Sequence, residues 1–556
     1  MTPIQRYKQY KNRKPEETIA IIQELLENKL GINTYERLFQ ERNGLFHSCR
    51  IVLDNGSWLR TINIGTNGKG MTEAYSKASA YGELMERIQN YALLRFANFA
   101  THAYLGKHKE DFPFYYKKIV EKDLVLPFLY TPDETVSSDN NQLKQAIELY
   151  LFTADNTLLY EYSKNQEHYY IPYYDVNSDE VVSLPYDIMY NSISTNGMCA
   201  GNTPKEALIE GLNEILERYV IRKIYFDNLT LPEMPRELFK GNEILNRIQE
   251  LEDCEGYIIR IMDCSLGIGI PAVGAIVLTP DGAQYQFHMG VDPSPITALE
   301  RSLTELFQGR NTVKFKNFDK ELQTKLLKDM PLKEEEMHKT NSASAGAYPI
   351  SLFYDEPSYQ FAGIDENFGR SDDNDLKLLT SLIERLGFKI YIRDNSFLGF
   401  PAYSIYIPGM SELHNTNSLR YFEATYGKYE TLFVKAHQVE HLDKNDVKFL
   451  QESLYKTPDN YFALVFPTDD IWMRTYDTES ELIRLSSLYG DTSRRLSLQD
   501  FDKDSFLSMA ANCFNCNDCK ISKSCHYFQY LFILKKLMSI QTNSLINQMS
   551  LQSIFK

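Results

Sequence analysis

Short β-rich runs alternate with long helical segments between residues 51 and 409, and no other feature of the sequence constrains the fold as strongly. Strand-favouring β-branched and aromatic residues are concentrated in runs such as GYIIRIMD, PAVGAIVLT and YQFHMGV. This alternation predicts a mixed α/β (α+β) body built from repeated strand–helix units. The polar stretch 365–377 is predicted to be a loop, because it contains few apolar residues.

The length of 556 residues predicts more than one structural part. Apolar residues at helical spacing near the N-terminus indicate a helical lead-in over residues 1–50. The alternating body follows over residues 51–424. From about residue 425 the pattern favours helices, so we expect a mainly helical C-terminal region over residues 425–556.

One unit occurs twice, a glycine-rich segment followed by a helix with the pattern Glu-x-x-Glu-Arg. The copies are residues 66–70 with Glu83, Glu86 and Arg87, and residues 195–197 with Glu214, Glu217 and Arg218. Thr72 and Thr203 are favourable N-caps for the two helices. Because glycine lets backbone amides approach an anion and a helix N-terminus favours negative charge, both glycine segments are predicted to be anion-binding turns.

Polar side chains on these two helices are spaced to share faces. Ser79, Glu83 and Glu86 lie at i, i+4 and i+7. The second helix carries its acids along one side, at Glu206, Glu210, Glu214 and Glu217. Neighbouring carboxylates repel unless a cation lies between them, and Mg²⁺ prefers one or two carboxylates together with phosphate oxygens. A pair of solvated acidic faces is the structural alternative.

A third helix, predicted over residues 298–310 with a capped entry at Ser294 and Pro295, adds groups suited to a nucleotide. These are Arg301, Glu305, Gln308 and Arg310. Arg and Gln can bind phosphate, ribose or base, while Glu305 can ligate a metal or position Arg301. Lys69 supplies a further mobile charge. The pattern therefore predicts a nucleoside triphosphate held by the glycine segments, Lys69 and arginines, with Mg²⁺ on facing carboxylates.

The overall charge excludes one broad class of partner. The net charge of −16 argues against extended binding of nucleic-acid phosphates. No run of about 18 apolar residues is present, and the N-terminal stretch lacks the apolar core of a secretory signal. We therefore expect a cytoplasmic protein that neither spans a membrane nor binds nucleic acid.

Four cysteines form a compact cluster near the C-terminus. They are Cys513, Cys516, Cys519 and Cys525. Four thiolates can hold Zn²⁺ in a tetrahedral site, and the close spacing is also similar to that of iron–sulfur ligands. Zn²⁺, an iron–sulfur cluster and four reduced thiols without a metal are the three readings, and a structural role is favoured over catalysis.

The chain resembles the YcaO family in five ordered blocks between about Cys49 and Glu412. The blocks are TNGKG-x8-SAYGELMER, STNGMCAGNT-x2-EALIEGLNEILERYV, DCSLG, ALERSLTELFQGR and IPGMSE. The resemblance implies a YcaO-like catalytic domain over residues 51–424 that uses ATP and Mg²⁺ to activate a peptide backbone amide. In the family a nucleophile adds to the amide carbonyl and the oxygen is phosphorylated and eliminated, giving heterocycles (cyclodehydratases), thioamides or amidines. Modified ribosomal peptides are the associated products.

The same resemblance implies which residues form the nucleotide and Mg²⁺ site. They are Lys69, Ser79, Glu83, Glu86, Arg87, Asn196, Glu206, Glu214, Glu217, Arg218, Glu305, Gln308 and Arg310. Glu83, Glu86, Glu214 and Glu217 are the implied Mg²⁺ ligands, and no catalytic residue or general base is assigned.

The implied partners follow from the same blocks. They are a peptide or protein substrate, a sulfur donor or methylthiotransferase, and a second copy of the chain. The blocks are most similar to the branch associated with methylthiolation of ribosomal protein S12. A nucleotide-binding accessory role in that modification is therefore the alternative to an enzyme.

Overall fold

A computed structural model describes most of the chain. The described residues are 3–4, 11–54, 64–93, 133–152, 156–165, 167–365, 367–413, 455–456, 462–465, 473–476, 536–537, 539–542 and 548–555. Their α-helices are α1 Pro15–Leu25, α2 Glu73–Gln89, α3 Asn140–Tyr150, α4 Asn156–Ser163, α5 Tyr186–Ile193, α6 Pro204–Phe226, α7 Glu243–Glu255, α8 Pro295–Glu305, α9 Lys320–Lys325, α10 Met330–Ala343, α11 Asp372–Arg385 and α12 Gln552–Phe555.

The described strands alternate with these helices as the sequence predicts. They are β1 Thr34–Gln40, β2 His47–Leu53, β3 Gly65–Gly70, β4 Thr135–Ser137, β5 His168–Asp175, β6 Glu180–Pro185, β7 Met198–Ala200, β8 Ile258–Asp263, β9 Ala272–Leu278, β10 Gln284–Val291, β11 Lys316–Asn317, β12 Tyr391–Asp394, β13 Ala402–Tyr406, β14 Tyr455–Lys456, β15 Phe462–Val465 and β16 Met473–Tyr476. The predicted mixed α/β (α+β) class is confirmed.

The first layer is the antiparallel sheet β1-β2-β3, with α2 packed against it. Residues 66–70 are the outer strand of this sheet, where Lys69 pairs with Ser48 of β2. The segment is therefore a strand and not the predicted turn, while anion binding by it stays a prediction. Its glycines allow β3 and α2 to approach closely. The edge of β3 that does not pair with β2 lies next to the other layers of the fold.

The second layer is the antiparallel sheet β11-β10-β9-β8. Helices α7 and α8 cover one face, where residues such as Ile261, Ala275 and Leu303 form a buried cluster. The other face contributes Phe287 and Met289 to the largest core cluster. This sheet therefore has apolar side chains on both faces, as its near-continuous apolar strands require.

Helix α6 is the central helix of the described fold. It begins at the predicted cap, where the Thr203 hydroxyl accepts from the Glu206 amide. Its buried side chains, including Leu212 and Leu216, pack against β10 on one side and β7 and β13 on the other. Strands β7 and β13 belong to the third sheet, ordered β4-β5-β12-β13-β7 with β6 paired to β5. These three sheets contact α2, α6 or α8, and polar side chains of the three helices line a common cavity.

Three sequence-based boundaries differ from the structure. The lead-in is helical only as far as Leu30, after a π-helical turn, and β1 follows. The predicted loop 365–377 contains the start of α11, because the Ser371 hydroxyl caps it and its first turn is acidic. Helix α8 ends at Glu305 rather than at residue 310.

The predicted helical region over residues 425–556 lies largely outside the described residues. The described pieces are the small antiparallel sheet β14-β15-β16 and short helical segments near the end. One of these segments carries Gln548, which accepts from the Asp394 amide. Among the residues that the structure describes, no helix combines the length and apolar character of a membrane span.

Candidate functional site

One cavity of about 1110 Å³ opens between β3, α2, α6 and α8. Every residue that the sequence predicts for the nucleotide and Mg²⁺ site lines it. These are Lys69, Ser79, Glu83, Glu86, Arg87, Asn196, Glu206, Glu214, Glu217, Arg218, Glu305, Gln308 and Arg310. The tertiary fold thus brings together side chains that are more than 200 positions apart, while their roles as ligands remain a prediction.

The acidic end of the cavity is formed by α2 and α6. Glu83 and Glu86 both contact Arg87. The Arg87 Nη2 atom lies 3.5 Å from Glu83 Oε1, and the Arg87 Nε atom lies 3.2 Å from Glu86 Oε1. Burial raises the pKa of Glu86 well above its usual range, opposed by Arg87 and reinforced by Glu214 across the cavity. Burial also raises the pKa of Glu214. Burial therefore disfavours the charged form of both carboxylates, although Arg87 and Arg218 favour it.

Backbone amides hold the first glutamate of each repeat. The Asn67 amide donates to Glu83 Oε2 and the Gly197 amide donates to Glu214 Oε2, both at 3.3 Å. These amides therefore orient carboxylates. Asn196 lies beside Gly197, where its Nδ2 donates to the Ser411 carbonyl at 2.7 Å while its buried Oδ1 has no hydrogen-bond partner among the described residues.

The acidic end fits a divalent cation that arrives with phosphates. Apart from the ion pair with Arg87, Glu86 Oε1 makes no hydrogen bond to a described residue, and a cation would oppose the burial that raises the pKa of Glu86 and Glu214. Within the described part of the chain, no three His, Cys, Asp or Glu side chains are arranged to hold a metal by themselves. Mg²⁺ commonly binds one or two carboxylates plus substrate phosphates, so the residues present suit that ion.

Cations line the same cavity. Lys69 of β3 contacts the Glu305 carboxylate at the end of α8. Arg218 of α6 lies 4.0 Å from Glu214 and donates to Asn341 at 3.5 Å. Gln308 and Arg310 lie in the turn after α8, and neither side chain has an ion pair or hydrogen bond to another described residue.

Residues 11–18 also reach the cavity, which the sequence did not predict. Lys11 Nζ lies 3.1 Å from Glu210, which also contacts Arg301. Burial acts to raise the pKa of Glu210, but Arg301 and Lys11 hold that pKa far below its ordinary value. Lys11 is far from α6 in sequence and belongs to no periodic pattern, so no sequence signal indicated this contact.

Glu206 lines the cavity but is already engaged by neighbouring groups. Its Oε1 accepts from the Asn202 amide and Nδ2, and its Oε2 accepts from the Asn12 amide and Nδ2 at 2.9 Å. In this arrangement Glu206 connects the N-terminal segment to the start of α6 through hydrogen bonds. A role as a direct nucleotide ligand would require some of these bonds to be exchanged.

The predicted cysteine cluster, Cys513, Cys516, Cys519 and Cys525, lies outside the described residues. The described cysteines are Cys49, Cys199 and Cys264, which are buried, and Cys254, which is exposed. The Zn²⁺ and iron–sulfur readings of the cluster therefore remain predictions from the sequence.

The raised pKa values of the acidic end predict a pH-dependent stability. Since Glu86 and Glu214 bind protons more readily in the native than in the unfolded chain, the free energy of unfolding should fall as pH rises above the ordinary carboxylate pKa of 4.5. Urea unfolding between pH 5 and pH 8, with chelator present, measures this.

A variant isolates the contribution of Glu86 to that dependence. Glu86→Gln should flatten the decline in stability with pH, because the amide does not titrate. Exposed Glu73, on the same helix, provides the control Glu73→Gln. An unchanged pH dependence in the Glu86 variant would contradict the assignment.

Comparison with known proteins places the chain in a family. Curated relatives include an uncharacterised protein of Haemophilus influenzae, 30% identical over 365 residues, and the ribosomal protein S12 methylthiotransferase accessory factor YcaO of Escherichia coli K12, 29% identical over 370 residues. Each alignment covers 64% of this chain, but only 59% and 58% of the respective relative. Among solved structures, YcaO from Methanopyrus kandleri, described as bound with AMPPCP and Mg²⁺, has 16% identity and a TM-score of 0.41, covering 72% of this chain and 92% of that one.

A family model provides the broadest comparison. The model described as YcaO cyclodehydratase, ATP- and Mg²⁺-binding, matches residues 67–411. This range includes most of β3 and all of α2, α6 and α8, the elements around the cavity. Because the match extends over more than half of the 556 residues, the chain belongs to the YcaO family.

Proposed function

We propose that this protein is an ATP- and Mg²⁺-dependent enzyme that activates a peptide backbone amide for attack by a nucleophile. The observation that carries the proposal is the single cavity in which the carboxylates of α2 and α6 face the cations of β3, α6 and the turn after α8. That pairing of charges suits a triphosphate and its metal. Membership of a family described as ATP- and Mg²⁺-binding supports the same choice of ligands.

The residues divide by charge. Glu83, Glu86, Glu214 and Glu217 would hold Mg²⁺, which when bound supplies positive charge to the phosphates. Lys69, Arg218 and Arg310 would contact phosphate oxygens and stabilise the charge that develops during phosphoryl transfer. Ser79, Asn196, Glu206, Glu305 and Gln308 line the same cavity and would position the nucleotide, together with Arg87.

The proposed reaction balances without an oxidant. A nucleophile, either a Cys, Ser or Thr side chain of the peptide or a sulfide equivalent, forms a bond to the amide carbonyl carbon. The carbonyl oxygen takes the γ-phosphoryl group of ATP, and ADP leaves. The carbon–oxygen bond then breaks and inorganic phosphate departs with the amide oxygen. Loss of the amide N–H proton completes a heterocycle, and loss of the S–H proton completes a thioamide.

Mass spectrometry tests this proposal. The protein is incubated with ATP, Mg²⁺ and synthetic peptides containing Cys, Ser and Thr, with and without sodium sulfide. Loss of water would identify cyclodehydration, and exchange of oxygen for sulfur would identify thioamidation. If Mg²⁺ and the non-hydrolysable analogue AMPPNP show no binding in calorimetry, the enzyme proposal fails.

A second candidate function is favoured by one relative. The Escherichia coli protein is named as an accessory factor for ribosomal protein S12 methylthiotransferase. An accessory role would require nucleotide binding and docking on a methylthiotransferase or on ribosomal protein S12, without amide chemistry in this chain. Binding of AMPPNP together with a complete absence of peptide mass change and peptide-stimulated ATP turnover would favour that role.

A further inference from the structure

His288 is a polar group of the cavity that the proposed nucleotide site does not use. It lies on β10 opposite Ala275 of β9, and its carbonyl accepts from the Ser302 hydroxyl of α8 at 2.8 Å. The strand and the helix therefore fix its backbone. Its side chain lines the cavity, and the buried Nε2 atom has no hydrogen-bond partner among the described residues.

The charged groups that act most strongly on His288 come from four elements and are all cations. They are Lys316 of β11, Lys69 of β3, Arg310 of the turn after α8 and Arg218 of α6. Burial lowers the pKa of His288 well below its usual value, and these cations lower it further. The imidazole is therefore neutral at physiological pH, with an unshared electron pair available on one ring nitrogen.

Three of these cations line the same cavity as His288 and are the groups that the proposed function assigns to phosphate. An anion bound by Lys69, Arg218 and Arg310 would lie beside the imidazole and offset their charge. His288 would then be able to accept a proton, although it is held unprotonated in the free protein. Proton transfer would thus be coupled to the presence of the triphosphate.

We propose that His288 is the proton acceptor for the attacking nucleophile, beside the cations that would bind the phosphates. This inference rests on the proposed function. As the nucleophile bonds to the amide carbonyl carbon, its O–H or S–H bond breaks and the proton passes to the neutral imidazole. The proton leaves later with the departing phosphate, so the imidazole is regenerated and no other reactant is needed.

Histidine NMR provides a test that does not require the peptide. The protein contains ten histidines, and with ¹³C-labelled histidine the His288 signal is identified by its loss in His288→Asn. In the free protein we expect His288 to stay unprotonated over the pH range in which ordinary histidines titrate, because burial and the four cations lower its pKa. With Mg²⁺ and AMPPNP bound, the pKa of His288 should rise towards the ordinary histidine value, because the phosphates offset the neighbouring cations. His47, on β2 and outside the cavity lining, should not change.

The outcomes separate the two proposals. If AMPPNP binds and the His288 signal does not respond, or if His288 is already protonated at pH 7.5 in the complex, the proton-acceptor assignment is wrong while the nucleotide site stands. If AMPPNP does not bind at all, the proposed function itself fails.

Kinetics give a second readout. In the peptide assay, His288→Asn should lower kcat by about 100-fold while the Kd for Mg²⁺ and AMPPNP changes by less than about threefold. His338→Asn is the matched control, because His338 also lines the cavity but lies on α10. Equal losses in the two variants, or a loss of nucleotide affinity that accounts for the fall in rate, would overturn the assignment.

Discussion

Replacing Glu86 or Glu214 with glutamine is expected to lower peptide-dependent ATP turnover by about 10³-fold, the effect of removing roughly 4 kcal/mol of transition-state stabilisation. A glutamine amide is nearly the same size as the carboxylate but carries no charge, so Mg²⁺ would lose a ligand and the phosphates would lose part of their compensation. Calorimetry with Mg²⁺ and AMPPNP, alongside phosphate release, measures both consequences.

The same substitutions should not unfold the protein. Because burial disfavours the charged form of Glu86 by more than its ion pair with Arg87 favours it, the neutral replacement should leave the metal-free protein folded and about as stable as before. Glu73→Gln, on the exposed first turn of α2, is the control and should retain full turnover. Full activity and unchanged Mg²⁺ affinity in the Glu86 variant would remove the basis of the metal assignment.

Gly68→Ala is expected to destabilise the protein by about 3 kcal/mol, the upper range for overpacking a well-packed contact. A Cβ atom at this position would lie 2.1 Å from the Ser76 carbonyl oxygen and 2.2 Å from the Ala80 amide nitrogen. Both are backbone atoms of α2, so no side chain can move aside and the helix must shift away from β3. Urea unfolding at pH 7 measures the change in the free energy of unfolding.

Gly82→Ala is the matched control for this substitution. Gly82 lies within α2, and a Cβ atom there would meet nothing within 4 Å. Because alanine is favoured over glycine in a helix, this variant should be stabilised by about 1 kcal/mol. If Gly68→Ala behaved like Gly82→Ala, the close packing of β3 against α2 would not be the reason for the glycine.

The two substitutions also show where a motif was misread from sequence. The segment 66–70 has the composition of an anion-binding turn, yet it forms a strand paired with β2. Glycine is compatible with both an anion-binding turn and a closely packed strand because it has no Cβ. Composition does not reveal which group lies next to it. The partner of Gly68 is a helix backbone rather than a phosphate, and only the packing of α2 on the sheet decides this.

Local signals predicted the helices of the site well. Thr72, Thr203 and Ser294 cap α2, α6 and α8, since a hydroxyl before a helical pattern satisfies a free backbone amide within three residues. The same short range explains the errors. The start of α11 was missed because its first turn is polar, and α8 was predicted to continue to residue 310, although the turn after Glu305 places Gln308 and Arg310 in the cavity.

The amino-acid sequence alone determined the class of the fold, the capped helices and the spacing that places Glu83 with Glu86 and Glu214 with Glu217, because these depend on interactions within a few residues. Only the tertiary structure decided that the two pairs share one cavity, that Lys11 approaches Glu210, and that His288 lies among four cations. Those relations join positions that are far apart in the chain. Burial sets the charge state of such groups, and it exists only after the layers have packed.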